Sequence, residues 1–116
     1  SDFKNQVEAR LTGFYNGFQQ LKSEGFKVDA IAPQGAIYLT VRFSLHGLKT
    51  EDGKTLAATK DITKYLLDEA KLAIVPFYAF GSSRESSWYR LSVGTCTLAD
   101  IDVIFSSLRN ALQKLN

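Results

Sequence analysis

Two stretches, "IYLTVRFSL" (Ile37 to Leu45) and "SSWYRLSVG" (Ser86 to Gly94), alternate so strictly that they dictate the kind of sheet this chain can hold. Successive side chains of an extended strand leave on opposite sides. Ile37, Leu39, Val41, Phe43 and Leu45 therefore share one face, and Tyr38, Thr40, Arg42 and Ser44 the other. In the same way Tyr89, Leu91 and Val93 oppose Trp88, Arg90 and Ser92. The pattern predicts strands over 36–45 and 87–94 that are buried on one side only. Such a sheet needs a helical layer on its apolar face alone.

The chain supplies that layer. Phe3, Val7, Leu11, Phe14, Phe18 and Leu21 recur at steps of four and three, widened by Tyr15, and predict an amphipathic helix over 2–24. Ser1 or Asp2 can cap its start, and Gly25 stands where a left-handed residue would end it. Gly13 and Gly17 each cost about 1 kcal/mol against alanine inside a helix. Their presence implies a close neighbour, expected to lie outside this chain. Thr59 is placed to cap a second helix in which Ile62, Tyr65, Leu66 and Ala70 share a face. "LAIVP" is a short apolar strand stopped by Pro76. A third helix follows Thr97, three residues ahead of Asp100 in an acidic variant of the capping box. Its stripe is Leu98, Ile101, Phe105, Leu108, Leu112 and Leu115. The order helix, strand, helix, strand, strand, helix predicts an α/β two-layer sandwich, a small mixed or antiparallel sheet with helices on one face. Arg90 is expected on the uncovered side.

Composition narrows the function. At 116 residues the chain is expected to be one domain, spanning 1–116, with a modest core. The net charge is +2 and the 14 basic residues are scattered, which argues against nucleic acid and membrane surfaces as partners. No apolar run approaches the roughly 18 residues of a membrane span, and no charged-apolar-small leader is present. The lone Cys96 excludes an internal disulfide and a cysteine-rich metal site, in keeping with a cytoplasmic location. There is no methionine, so the expectation is a processed start or a piece of a longer protein.

No complete active site is legible from residue chemistry. The only histidine, His46, heads a polar loop and reads as exposed. Cys96, at a helix start, reads as packing rather than nucleophile, although a helix N-terminus can lower a thiol pKa. Asp100 and Asp102 face apart and read as first-turn charges favouring the helix dipole, not an acid–base pair. Gly81 stands alone among serines, short of any phosphate-binding glycine loop. That leaves the arginines. Arg42, between Thr40 and Ser44, reads as a solvated strand residue. Arg90 keeps two readings open, an ordinary surface arginine or a guanidinium fork held by a stiff strand for bidentate carboxylate binding.

"PQGAIYL", "YLLDEAKLAIVPFYAFG" and "WYRLSVG", followed by an amphipathic terminal helix, resemble the C-terminal small domain of class I/II pyridoxal-phosphate aminotransferases of the aspartate aminotransferase superfamily. The resemblance runs from about Pro33 to the end, an α/β core over 33–116, and residues 1–25 resemble the helix that leads into it. It implies that Arg90 grips the α-carboxylate of an amino-acid substrate. It also implies that Pro33 and Gly35 form a structural turn, and that the loop of Pro76 and Gly81 borders the active-site mouth, with Phe77, Tyr78 and Trp88 nearby. The family commonly has glycine where Phe77 stands. The resemblance further implies amino-acid and 2-oxo-acid substrates, a homodimeric enzyme, and pyridoxal phosphate bound by a large domain that this chain does not resemble. On that reading the isolated chain is inactive, and its polar sheet face and helix glycines pack against the large domain. The alternatives are a stand-alone ferredoxin-like module that binds a carboxylate through Arg90, and a purely structural interaction domain.

Overall fold

Asp2–Ser23 form α1, the first of three helices in a computed structural model that describes residues 2–33, 38–77, 86–92 and 96–116. Its apolar stripe of Val7, Leu11, Phe14, Phe18 and Leu21 is buried. Gly25 ends it at φ +99°, with the Phe26 amide returning to the Leu21 carbonyl (3.2 Å) and the Gly25 amide to that of Lys22 (3.0 Å). That pair of bonds, with half-buried Phe26 folded against the core, satisfies carbonyls the helix end would leave open. The last helix, α3 (Leu98–Gln113), is capped as its sequence predicts. The Asp100 amide donates to Thr97 Oγ1 (3.2 Å) and the Thr97 amide to the Asp100 carboxylate (2.9 Å). The middle helix, α2 (Thr59–Ala70), departs from expectation. Its N-cap is Ala58, whose amide is taken by the Asp61 carboxylate (2.9 Å). Thr59 is the first helical residue and is buried, its hydroxyl 3.1 Å from His46 Nε2.

The sheet joins four strands, β1 (Val28–Ala30), β2 (Tyr38–Phe43), β3 (Ile74–Pro76) and β4 (Trp88–Ser92), in the order β1-β2-β4-β3. Every pairing is antiparallel. β1 was not foreseen, because in three residues Val28 and Ala30 alternate too briefly to rise above loop composition. β2 and β4 occupy the expected stretches in shorter form. On one face Val28, Ala30, Leu39, Val41, Phe43, Ile74, Tyr89 and Leu91 are buried in a single core with the helices. α1 covers β1 and β2, α2 covers β3, and α3 packs against both other helices. Among the described residues no helix packs on the other face, which carries Tyr38, Thr40, Arg42, Trp88 and Arg90. Leu98 does not belong to the buried stripe of α3, being 58% exposed; the stripe begins at Ile101.

Gly13 and Gly17 meet their close neighbour inside the chain, which corrects the expectation that it lies elsewhere. A Cβ on Gly13 would stand 3.0 Å from Ile101 Cδ1, and one on Gly17 would overlap the Phe105 ring. The glycines let α1 and α3 approach so that Phe105 reaches Phe14 and Phe18, with ring centroids at 5.6 and 5.4 Å. Phe18 in turn meets Phe43 at 5.5 Å, and Phe43 meets Tyr89 at 6.0 Å. Each such pair contributes roughly 0.5–1.5 kcal/mol beyond its buried area. This run of rings fastens β4, the strand of Arg90, to the helical layer. Among the described residues no helix is long and apolar enough to cross a membrane.

Candidate functional site

β4 lies between β2 and β3 and is hydrogen-bonded on both sides, so its side chains are held by the stiffest part of the sheet. Alternation buries Tyr89 and Leu91 and turns Trp88 and Arg90 to the open face. Register then decides their company. Arg90 stands opposite Thr40 on β2 and Val75 on β3, both smaller than the guanidinium between them. Tyr38 is diagonal to it on the same face, within reach for an aromatic ring. The Arg90 guanidinium carbon lies 4.5 Å from the Tyr38 ring centroid and 5.8 Å from that of Phe77. Cation–π contacts of this kind range from about 0.5 to about 2 kcal/mol with desolvation. A guanidinium seated over an aromatic ring still has a planar fork of donors, two of which a carboxylate would take.

Arg42 is differently occupied. It stands opposite Trp88 and Asp29, its guanidinium 5.8 Å from the indole centroid and 3.9 Å from the Asp29 carboxylate. That carboxylate also accepts from Lys22 Nζ (3.0 Å) and Gln19 Nε2 (3.1 Å). Partial burial pushes the Asp29 pKa up, but the bonds from Lys22, the Ala30 amide and Gln19 outweigh it and hold the group below the ordinary range. Asp29 therefore ties β2 and α1 together, and Arg42 belongs to that tie.

Of the residues singled out in the sequence, Arg90 and Phe77 come together. Trp88 shares their face, but its cationic contact is Arg42. Tyr78, Gly35 and Gly81 lie outside the described residues. Pro76 closes β3 opposite Tyr89. Tyr38 was not singled out. Its place on the polar face is visible in the alternation, but its approach to Arg90 depends on a register that a single sequence does not reveal.

Burial and the Asp100 charge raise the Cys96 thiol pKa, with Arg10 opposing them, the reverse of nucleophile activation. Asp100 is engaged in its cap and Asp102 is exposed. His46 is exposed, as its loop position predicts. No group of three His, Cys, Asp or Glu residues that could hold a metal occurs among the described residues. Among the described residues, open clefts away from Arg90 include one of about 340 Å³ between Asp52 and Tyr65, one of about 390 Å³ beside Phe26 and Leu48, and one of about 360 Å³ between Gly17 and Phe105.

A one-sided antiparallel sheet under helices, with Arg90 beside Tyr38 and Phe77 on its open face, makes the described residues an α/β two-layer module. Residues 2–108 match the family described as aminotransferase class I and II, and the chain belongs to that family. Over 64 residues it is 44% identical to a probable aspartate/prephenate aminotransferase of Rickettsia felis, a match that takes in 54% of this chain and 15% of the relative. The crystal structure of an aspartate aminotransferase from Rhizobium meliloti superposes on 97% of the chain at TM-score 0.78 and 26% identity. An aromatic aminotransferase from Pyrococcus horikoshii shares the fold at TM-score 0.67 and 19% identity, over 94% of this chain and 25% of its own. The chain thus spans 15% of the Rickettsia felis relative and 26% of the Rhizobium meliloti chain.

Proposed function

We propose that residues 1–116 are the C-terminal small domain of a pyridoxal-phosphate-dependent aminotransferase, and that Arg90 grips the α-carboxylate of its amino-acid substrate. The observation that carries this reading is the Arg90 guanidinium itself: on the open face of an inner strand, flanked by Tyr38 and Phe77, in a chain of the aminotransferase family. The family implies pyridoxal phosphate as cofactor. A Schiff-base link to it needs a lysine amine, and the absence of lysine from the four strands that carry the Arg90 face supports a place for it elsewhere in the enzyme. The cofactor is accordingly assigned to the rest of the enzyme, and the polar sheet face to contact with that part. Phe77, whose ring stands beside Arg90, walls the carboxylate subsite, Trp88 borders its approach, and Tyr78 is assigned to the same mouth on the family resemblance alone. The names of the relatives make L-aspartate, with a 2-oxo acid as acceptor, the first substrate to try. The cytoplasmic, homodimeric enzyme that the resemblance implies is part of the same proposal.

Two charge-assisted hydrogen bonds contribute roughly 1.5–3 kcal/mol each, and about 1.4 kcal/mol is tenfold. Arg90→Ala in the intact enzyme is therefore expected to lower kcat/KM for L-aspartate by about a hundredfold or more. Arg90→Lys should also lose activity, since one ammonium cannot reproduce the planar fork. Arg42→Ala, which loosens the Asp29 tie, should leave kcat/KM nearly unchanged. Equal small effects of Arg90→Ala and Arg42→Ala would make Arg90 an ordinary surface arginine.

A further inference from the structure

We infer that Tyr38 is a positioning residue for Arg90, its ring fixing the plane in which the guanidinium meets the substrate carboxylate. The inference rests on the carboxylate role of Arg90. Three observations lead to it. The ring centroid is 4.5 Å from the guanidinium carbon, closer than the 5.8 Å of Phe77 and the 5.8 Å that separates Arg42 from Trp88. Tyr38 is the first described residue of β2 and pairs with Ser92, the last of β4, so both backbones behind the contact belong to a ladder. Both side chains are half-buried, which strengthens a cation–π contact relative to an exposed one.

An arginine has four rotatable bonds, and the strand fixes only where the side chain starts. Seating the guanidinium over a ring removes rotations that would carry the fork out of line. The ring makes no direct bond to the carboxylate in this account; it acts through Arg90, and the aromatic face is the part that matters.

The test is a kinetic cycle in the intact enzyme with L-aspartate as amino donor. Tyr38→Leu, which removes the aromatic face, is expected to lower kcat/KM by about tenfold. Tyr38→Phe, which keeps the face and loses the hydroxyl, should stay within about twofold of the parent. In an Arg90→Ala background Tyr38→Leu should cause no further loss, because nothing remains to position. Wild-type kinetics for Tyr38→Leu beside a large loss for Arg90→Ala would overturn the positioning role and leave the carboxylate reading standing. The same tenfold loss from Tyr38→Leu with and without Arg90 would overturn it too, by showing that the ring acts through the fold. A silent Arg90→Ala would remove the carboxylate reading and this inference together.

Discussion

Glu24 and Arg109 are 85 residues apart in sequence yet form a two-pronged ion pair, Nε to Oε1 at 2.8 Å and a terminal guanidinium nitrogen to Oε2 at 2.8 Å. The bonds from Arg109, joined by one from Gln20, outweigh burial and hold the Glu24 pKa at about 2 instead of the ordinary 4.5. A carboxyl whose folded pKa is depressed stabilises the fold fully above its unfolded pKa. It loses that contribution as the pH falls through the folded value. Unfolding midpoints in urea should therefore drop as the pH falls from about 4.5 to about 2, and the slope in this window should flatten in Arg109→Gln. An unchanged slope in Arg109→Gln would show that the pair does not couple the C-terminal turn of α1 to α3. Such a contact is invisible in sequence, because both residues read as solvated helix charges. Arg90 was legible for the opposite reason. A cation in a strict alternation has its face assigned by the period of two, whatever the tertiary structure. Tyr38 had the face assigned as well, and only the register was hidden.

At the scale of the elements, the helices were the most legible part, since a 3.6-residue stripe spread over 16 or 22 residues is hard to mistake. Short elements and starts were not. β1 has three residues, and α2 begins at Thr59 after an alanine cap because the Asp61 carboxylate, two residues past the expected hydroxyl, takes the Ala58 amide. The helix glycines were recognised as close-approach sites, but their partner was misplaced, since α3 lies some 90 residues along the chain and pairs with α1 only in three dimensions. This packing sets opposite signs for two conservative changes. Gly17→Ala gains about 1 kcal/mol of helix propensity but drives a methyl into the Phe105 ring, which Phe14 and Phe18 hold in place. Overpacking of this kind costs about 1–3 kcal/mol, so net destabilisation of about 1 kcal/mol is expected. Gly13→Ala meets only the tip of Ile101 at 3.0 Å, which can yield, and should be neutral or stabilising in equilibrium unfolding. Stabilisation by both changes would mean that α1 and α3 sit farther apart than described.

For the molecule as a whole, one core formed by the helices and the dry face of the sheet is expected to let residues 1–116 fold on their own. The isolated chain should unfold in a single cooperative transition, with circular dichroism and fluorescence coinciding. Supplied with pyridoxal phosphate, L-aspartate and a 2-oxo acid, it should show no turnover, and stoichiometric transamination by this chain would overturn the small-domain proposal. Fold class was readable at this scale because one-sided strands and amphipathic stripes leave few layer arrangements. The surroundings of Arg90 were not, because neighbours across strands are set by pairing rather than by order along the chain. Trp88 adds something of practical use. It is the chain's only tryptophan and stands half-buried on the open face beside Arg42, on the side of its strand away from the core. Indole emission from the isolated 116-residue chain is therefore a gauge of that one surface: its colour and intensity should change when anything settles there, even while the core beneath stays as it was.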